Sequence, residues 1–512
     1  MPRSEVCSRE YECQPFWPGG GRGRGGVFPV DSRFRDGEGI FDPAMDAPSG
    51  HPLAAKPANS AAGRPLTPFE QLMLIDDRPG HPMCFFLECM VEGPLQENRL
   101  REAVETASRR HPLLCSRVGF RRGRPVWLDA DVLPTVIWNP PERAAPWRSF
   151  DLRCESGLRL VVLSDGEHKH RVVFQVHHAT CDGVAGCELA GDIWAVYSRI
   201  EPRTFSRPPA ARIRPSAEKA PEFPAAHGGQ DSAREACAFA SFWPMPLARM
   251  TASSAKRAKG HSPPSGAACD PRSPPYMWID FTSASTERLR ATASADGVSL
   301  NDCIVAAVMR AALTWNARAG RTSGNVRVTM PVNLRQPGQR EPANNNLGYA
   351  FLDRTAAQCT DPKSLTASIA AATRWILDNN AAALFLSAIH SLARWPWLLK
   401  LATRLPVCVS TVVVSNIGDP VRRMRSGVGK IDGRDAPDDL VIRGFVGVPP
   451  LRPRTRASIG VTTYAGRLSL CCLCSAHPDP HEGARRFLDL VRQELDEMGA
   501  GSTAAFPALP KP

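Results

Sequence analysis

The run His177-His178-Ala179-Thr180-Cys181-Asp182-Gly183 places two imidazoles, a carboxylate and a glycine within seven residues, directly after Arg171-Val172-Val173-Phe174-Gln175-Val176. A neutral imidazole with a pKa near ~6.5 takes a proton from a hydroxyl or amine and returns it later, so no covalent intermediate on the protein is needed. The β-branched and aromatic run ahead of it suits a buried strand. Side chains alternate along a strand, so one running through the pair sends His177 and His178 to opposite faces and leaves His178 with Val172, Phe174 and Val176. His178 is then the candidate catalytic base. His177 is read as structural, fixing the strand end or the orientation of its neighbour. Gly183 permits a sharp turn into the helical pattern from Val184 to Arg199, and Asp182 either fixes the loop or caps that helix. On the heptad alone, a catalytic histidine and a satisfied core pair stay equally open.

The elements around the heptad follow from periodicity. Leu100, Val104 and Ala107 keep helical spacing in a helix near Leu95 to Arg110. Farther on, the pattern predicts strands at Met277 to Phe281, Val326 to Met330, Thr411 to Val414 and Gly466 to Cys474. It predicts helices at Ser285 to Ala295, Leu300 to Trp315 and Glu482 to Met498. Residues 1–64, with Gly19 to Gly26 rich in Gly and Arg, are expected to be a disordered tail in which Met45 is an alternative start. Residues 65–202 make a first lobe. Residues 203–274, rich in Pro, Ala and Ser, form a crossover with little packed structure. Residues 275–498 make a second lobe, and 499–512 a tail.

The chain has 512 residues, 43% of them hydrophobic and 22% charged, as in globular proteins. Its net charge of +12 suits an acidic partner. The basic residues are scattered and no nucleic-acid recognition module is present, so a phosphate-bearing substrate is the better match. Sixteen cysteines are too sparse for a disulfide scaffold, and without a secretory segment a cytoplasmic location with reduced thiols is expected. Cys471, Cys472, Cys474, His477 and His481 invite a metal reading. On a strand, however, Cys472 and Cys474 share one face and Cys471 takes the other, so no metal site is expected. Gly427-Val428-Gly429-Lys430 lacks the Walker pattern, and no Gly-x-Ser-x-Gly elbow occurs.

The heptad has the form HHxxxDG and resembles the acyltransferase superfamily of chloramphenicol acetyltransferase, peptide-synthetase condensation domains, wax ester synthases and plant BAHD enzymes. Other segments agree in order. Pro65-Leu66-Thr67-Pro68-Phe69-Glu70-Gln71 looks like the opening of a condensation-type domain, and Arg109-Arg110-His111-Pro112-Leu113-Leu114 looks like its "RHPxLR" helix end. Phe150-Asp151-Leu152 with Gly157-Leu158-Arg159 is similar to "FDL…PLR", with Gly157 in place of proline. Gly297 to Asp302 looks like the "ND" segment of wax ester synthases. Met330-Pro331-Val332-Asn333-Leu334-Arg335 with Asn346-Leu347-Gly348 resembles "PVNLR…GNxxG", and Ser415-Asn416-Ile417-Gly418 resembles "SNxG". The likeness covers residues 65 to 498. A DFGWG motif is absent, which disfavours a plant BAHD enzyme.

The resemblance implies an α/β (α+β) fold of two chloramphenicol acetyltransferase-like lobes, each a mixed sheet flanked by helices, with a tunnel between them. It implies an acyltransferase carrying an acyl group from coenzyme A or a phosphopantetheinyl carrier protein to an alcohol or amine, with no permanently bound cofactor. Asp182 would pair with an arginine, for which Arg335 is the candidate. Ser415 and Asn416 are the oxyanion candidates. Two alternatives stay open: a non-catalytic module that binds a carrier protein, and a wax ester or diacylglycerol acyltransferase at a membrane surface. Leu384 to Leu405 is too charged to span a bilayer; it is read as a lid or core element, with docking on a membrane as the alternative. A monomer is expected.

Overall fold

The computed structural model describes residues 63–141, 146–206, 247, 249–252, 272–321, 324–405, 408–424 and 440–500. Met45, the glycine-rich segment, Gly427 to Lys430 and most of the expected crossover and tails lie outside the described residues. In chain order the first part contains β1 (Arg64–Pro65), α1 (Pro68–Asp76), β2 (Cys84–Glu92), α2 (Glu97–Ser108), β3 (Ser116–Arg121), β4 (Arg124–Asp129), β5 (Thr135–Trp138), β6 (Leu158–Asp165), β7 (Lys169–His177) and α3 (Gly183–Tyr197). The second contains β8 (Met277–Asp280), α4 (Ser283–Ala295), α5 (Leu300–Arg318), β9 (Asn325–Asn333), β10 (Leu347–Thr355), α6 (Pro362–Asp378), α7 (Leu384–Ala393) and α8 (Pro396–Arg404). It continues through β11 (Val412–Gly418), α9 (Pro420–Met424), β12 (Val441–Val448), β13 (Ala457–Tyr464), β14 (Arg467–Cys474) and α10 (Pro480–Gly499).

The strands form two large mixed sheets, ordered β12-β2-β7-β6-β5 and β10-β9-β11-β13-β14-β8, and a small β1-β4-β3 sheet. β7 is the middle strand of the first sheet, so both its edges are satisfied by backbone partners. Its apolar face, with Val172, Phe174 and Val176, packs into one core with α2 and α3. In the second lobe α5 is buried almost all round, against α10 and the six-stranded sheet. A capping box starts α5: Ser299 Oγ accepts from the Asp302 N–H at 3.2 Å, and Asp302 Oδ2 accepts from the Ser299 N–H at 2.9 Å. That gives Asp302 of the asparagine-aspartate pair a local structural role.

Three details differ from the expected division of the chain. Arg64 already pairs with Trp127, so β1 begins one residue before the expected boundary. Met250, inside the expected crossover, is buried in the second-lobe core. The second-lobe segment also returns one strand to the first sheet, since β12 pairs antiparallel with β2. Where β12 passes β13 the backbones nearly touch: a Cβ on Gly460 would lie 1.7 Å from the Gly447 carbonyl oxygen. Only glycine fits there, because any side chain would push the two sheets apart.

Candidate active site

β7 ends at His177, and His178 begins the turn that leads to α3. Backbone bonds hold this corner. The His178 N–H donates to the Met83 carbonyl at 2.8 Å, and the His177 N–H to Gly157 at 2.8 Å. A Cβ on Gly157 would meet Thr180 Cγ2 at 2.4 Å, which accounts for glycine where proline was looked for. The imidazoles diverge as alternation required. His177 is fully buried beside Phe150, with Nε2 3.5 Å from Asp77 Oδ2 and Nδ1 accepting from the Ala179 N–H at 3.1 Å. His178 lies between the edges of Phe69 and Phe85, ring centroids 5.6 and 5.4 Å away, and faces a cavity. Its Nδ1 makes no hydrogen bond of good geometry, though the Asn345 side chain is near enough to favour the charged ring.

Burial among these rings pushes the His178 pKa below the ordinary imidazole range, which keeps the ring neutral and able to accept a proton. Cys181, in the same heptad, is buried, and burial pushes its thiol well up, so it supplies no thiolate nucleophile.

Asp182 has both roles the sequence left open. Oδ1 accepts from the Ala185 N–H at 2.9 Å and caps α3; Oδ2 accepts from Arg335 Nη1 at 2.8 Å and from the Asn346 N–H at 2.8 Å. The Arg335 and Asp182 side chains are both buried, so this bond from the second lobe to the first is shielded from water. Arg335 also donates to Asn344 Oδ1 at 2.8 Å, and Asn345 Nδ2 donates to the His178 carbonyl at 2.9 Å. The run Asn344-Asn345-Asn346 therefore grips the heptad's backbone from across the lobes. Its signal in the sequence was the triplet itself, of which only Asn346 was singled out. His111 of the arginine-histidine-proline motif is a buried strut: Nδ1 accepts from the Ala343 N–H at 2.8 Å, Nε2 lies 3.2 Å from Asp192 Oδ2, and Arg340 pairs with the same carboxylate.

Gly183 needs correction. Its φ is not among the positive values, so the turn does not depend on glycine. A Cβ there would meet only Ile417, at 3.8 Å, and the residue lines the cavity instead. The two oxyanion candidates also separate. Ser415 lines the cavity that holds His178, whereas Asn416 is exposed, donates to Asn301 Oδ1 at 2.9 Å and accepts from the Gly418 N–H at 2.8 Å. Thr329, which sequence reasoning passed over, lines the same cavity with a buried hydroxyl that has no partner. Cys471 faces one core and Cys472 and Cys474 the other, and no group of possible metal ligands occurs among the described residues.

Two cavities meet the start of α3. One, of about 360 Å³, is mostly apolar and runs from buried His178 and Gly183 past Phe385, Ile389 and Leu399 to half-exposed Leu405 and Val409. The buried charges in its wall are paired, Arg327 with Asp353 and Arg452 with Asp76. The other, of about 570 Å³, is polar and lined by Arg203, Arg335, Arg340, Arg422 and Arg423 with Glu188 and Asp419. Ile417 belongs to both walls, and adjacent Gly183 and Val184 each face one. Burial raises the Glu188 pKa to about 6, and one of its oxygens has no partner.

Residues 270–473 match the family described as phthiocerol/phthiodiolone dimycocerosyl transferase C-terminus. Over 142 residues the chain is 28% identical to a nonribosomal peptide synthetase of Pyrenophora dematioidea, and over 136 residues 31% identical to chondramide synthase of Chondromyces crocatus. It spans 10% and 4% of the length of those proteins. Among solved structures it resembles polyketide synthase associated protein 5 from Mycobacterium tuberculosis, with TM-score 0.55 and 17% identity over 86% of this chain and 98% of that one. The first condensation domain of the CDA synthetase gives TM-score 0.55 and 16% identity over 88% and 98%. Trichothecene 15-O-acetyltransferase from Fusarium sporotrichioides gives 0.58 and 11% over 85% and 94%. The second lobe thus matches the C-terminal model of a transferase family, and across both lobes the chain has the fold of condensation domains and of an acetyltransferase.

Proposed function

We propose that the protein transfers an acyl group from a thioester, on coenzyme A or a carrier protein, to an alcohol or amine, with His178 as general base. The observation that carries this reading is the neutral, buried His178 at the inner end of an apolar cavity, with an arginine-lined cavity on the other side of the same helix start. The imidazole takes the acceptor's proton as its oxygen or nitrogen attacks the thioester carbonyl. The tetrahedral intermediate collapses, the carbon–sulfur bond breaks, and the imidazolium returns the proton to the leaving thiolate. Ser415 and Thr329 are two of the cavity hydroxyls, and we assign them to the developing oxyanion. The apolar cavity takes hydrocarbon. The polar cavity takes the phosphate-bearing arm of the donor, which Arg422 and Arg423 attract. Asp182 and Arg335 act only by holding the heptad against the second lobe.

The test is intact-mass detection of acylated product from a panel of acyl-coenzyme A and acyl-carrier donors, with wild type and His178→Ala. The variant is expected to melt like wild type and lose about 10²- to 10⁴-fold in rate. The wild-type rate should hold below pH ~6.5 and fall only as pH drops through the depressed pKa, because burial favours the active neutral ring. A folded His178→Ala protein of undiminished activity would falsify the assignment.

A further inference from the structure

The helix pair α7 and α8 has two apolar faces, and only one is covered. Phe385, Ile389, Leu392 and Leu399 point inward and line the cavity of His178. On the outside, Trp395 and Trp397 are 59% and 65% exposed, and Leu401, Leu405 and Val409 about half exposed. Trp397, Leu401 and Leu405 recur every four residues, so they form one stripe along α8 and into its cap. Leu405 and Val409 also line the cavity, which places the stripe at its mouth.

The exposed charges on the stripe's own segment have one sign. Arg394, Lys400 and Arg404 are exposed, and from Asn379 to Gly418 the chain contains no Asp or Glu. Arg78 donates to the Thr403 carbonyl at 2.9 Å and lies 3.8 Å from Asp76, so its charge is partly balanced. The carboxylate at the end of α1, Asp76, is buried on Arg452. Contiguous exposed tryptophan and leucine rimmed by arginine and lysine match the boundary between lipid headgroups and acyl chains. An acidic protein would meet the charges, but it would leave unexplained why the cavity opening beside the stripe is lined by leucine, isoleucine and phenylalanine. A hydrocarbon chain fits that lining.

We propose that α7, the corner at Trp395 and α8 dock on an anionic lipid surface, so that the apolar cavity opens toward the bilayer and takes a chain-bearing substrate from it. This goes beyond the acyl-transfer reading, and docking is read without turnover. The full chain is mixed with vesicles of phosphatidylcholine alone and of equal parts phosphatidylcholine and phosphatidylglycerol, then floated. Binding to the anionic vesicles is expected, weakening as salt rises. The double change Trp395→Ala and Trp397→Ala is expected to reduce it at least about tenfold. Arg394→Gln, Lys400→Gln and Arg404→Gln are each expected to lower it about fivefold.

Unchanged melting temperatures and unchanged transfer to a soluble short-chain acceptor keep these variants interpretable, since the residues are on the surface. If transfer fails with every donor while vesicle binding persists, the catalytic reading falls and the docking surface stands. Absence of binding to anionic vesicles by folded wild type overturns the docking surface, as does binding that ignores all these changes. Self-association abolished by the tryptophan changes, without vesicle binding, assigns the stripe to a second copy of the chain and overturns it too. So does binding of an acidic carrier protein that depends on the stripe where vesicles do not bind.

Discussion

The two cavities flanking the start of α3 sit within one residue of each other along the chain, yet their chemistry is opposed. Toward Gly183 the wall is aliphatic and aromatic, and its buried arginines are neutralised by Asp76 and Asp353. Toward Val184 five arginines line the wall; Arg335 and Arg340 are held by Asp182 and Asp192, which leaves Arg203, Arg422 and Arg423 with Asp419 and with Glu188, itself pushed toward neutrality by burial. A wall of paired charge accepts hydrocarbon without leaving an ion unsolvated, whereas a wall with cations in excess gains by taking an anion. The heptad lies at the join, so its rigidity decides whether both substrates meet the same imidazole.

The strongest way to break that arrangement is to remove its brace. Asp182→Ala leaves Arg335 buried without a counter-ion and α3 without its cap. It is expected to cost about 3 to 5 kcal/mol, and Arg335→Ala a similar amount, measured by urea unfolding. A chain that keeps its stability after either change would show the pair to be idle. The polar side is tested next. Arg422→Gln with Arg423→Gln should raise KM for a phosphate-bearing donor about tenfold with little change in kcat, and leave a truncated donor lacking phosphates unaffected. Equal loss with both donors would remove the distinction between the cavities.

The smallest effect sharpens the same contrast through pH. The folded-state pKa of Glu188 is raised to about 6, so its neutral form favours folding below the unfolded value and that contribution is lost as pH rises through about 6. Glu188→Gln keeps the neutral form. At pH 8 the variant should therefore be more stable than wild type by about 1 kcal/mol, and the difference should fade in acid. A difference that grows on acidification would reverse the sign.

Much of the site could be read from local pattern because local rules placed it. Alternation along β7 separated His177 from His178, periodicity located α2, α5 and α10, and the Asp182 cap lay one residue ahead of a helical run. What escaped was whatever depended on a partner distant in sequence. Gly183 looked like a turn residue, although its backbone needs no glycine and a Cβ there would make only an ordinary contact with Ile417. Asn416 belonged to a motif, but its amide is spent on Asn301. The stretch from Leu384 to Leu405 was read as either a lid or a membrane-facing element, and periodicity alone could not divide its apolar residues between the two faces.

The sequence by itself determined the strand, the imidazole and the helix that follows, because backbone propensity and side-chain alternation act over a few residues. Only the tertiary structure decided which groups surround that imidazole. The return of β12 to the first sheet, the Asn344–Asn346 grip, the pairing of Arg335 with Asp182 and the opposite character of the two cavities all join residues tens to hundreds of positions apart. Such contacts form because burying a charge or a carbonyl requires a partner, and that requirement is settled by packing in space and not by distance along the chain.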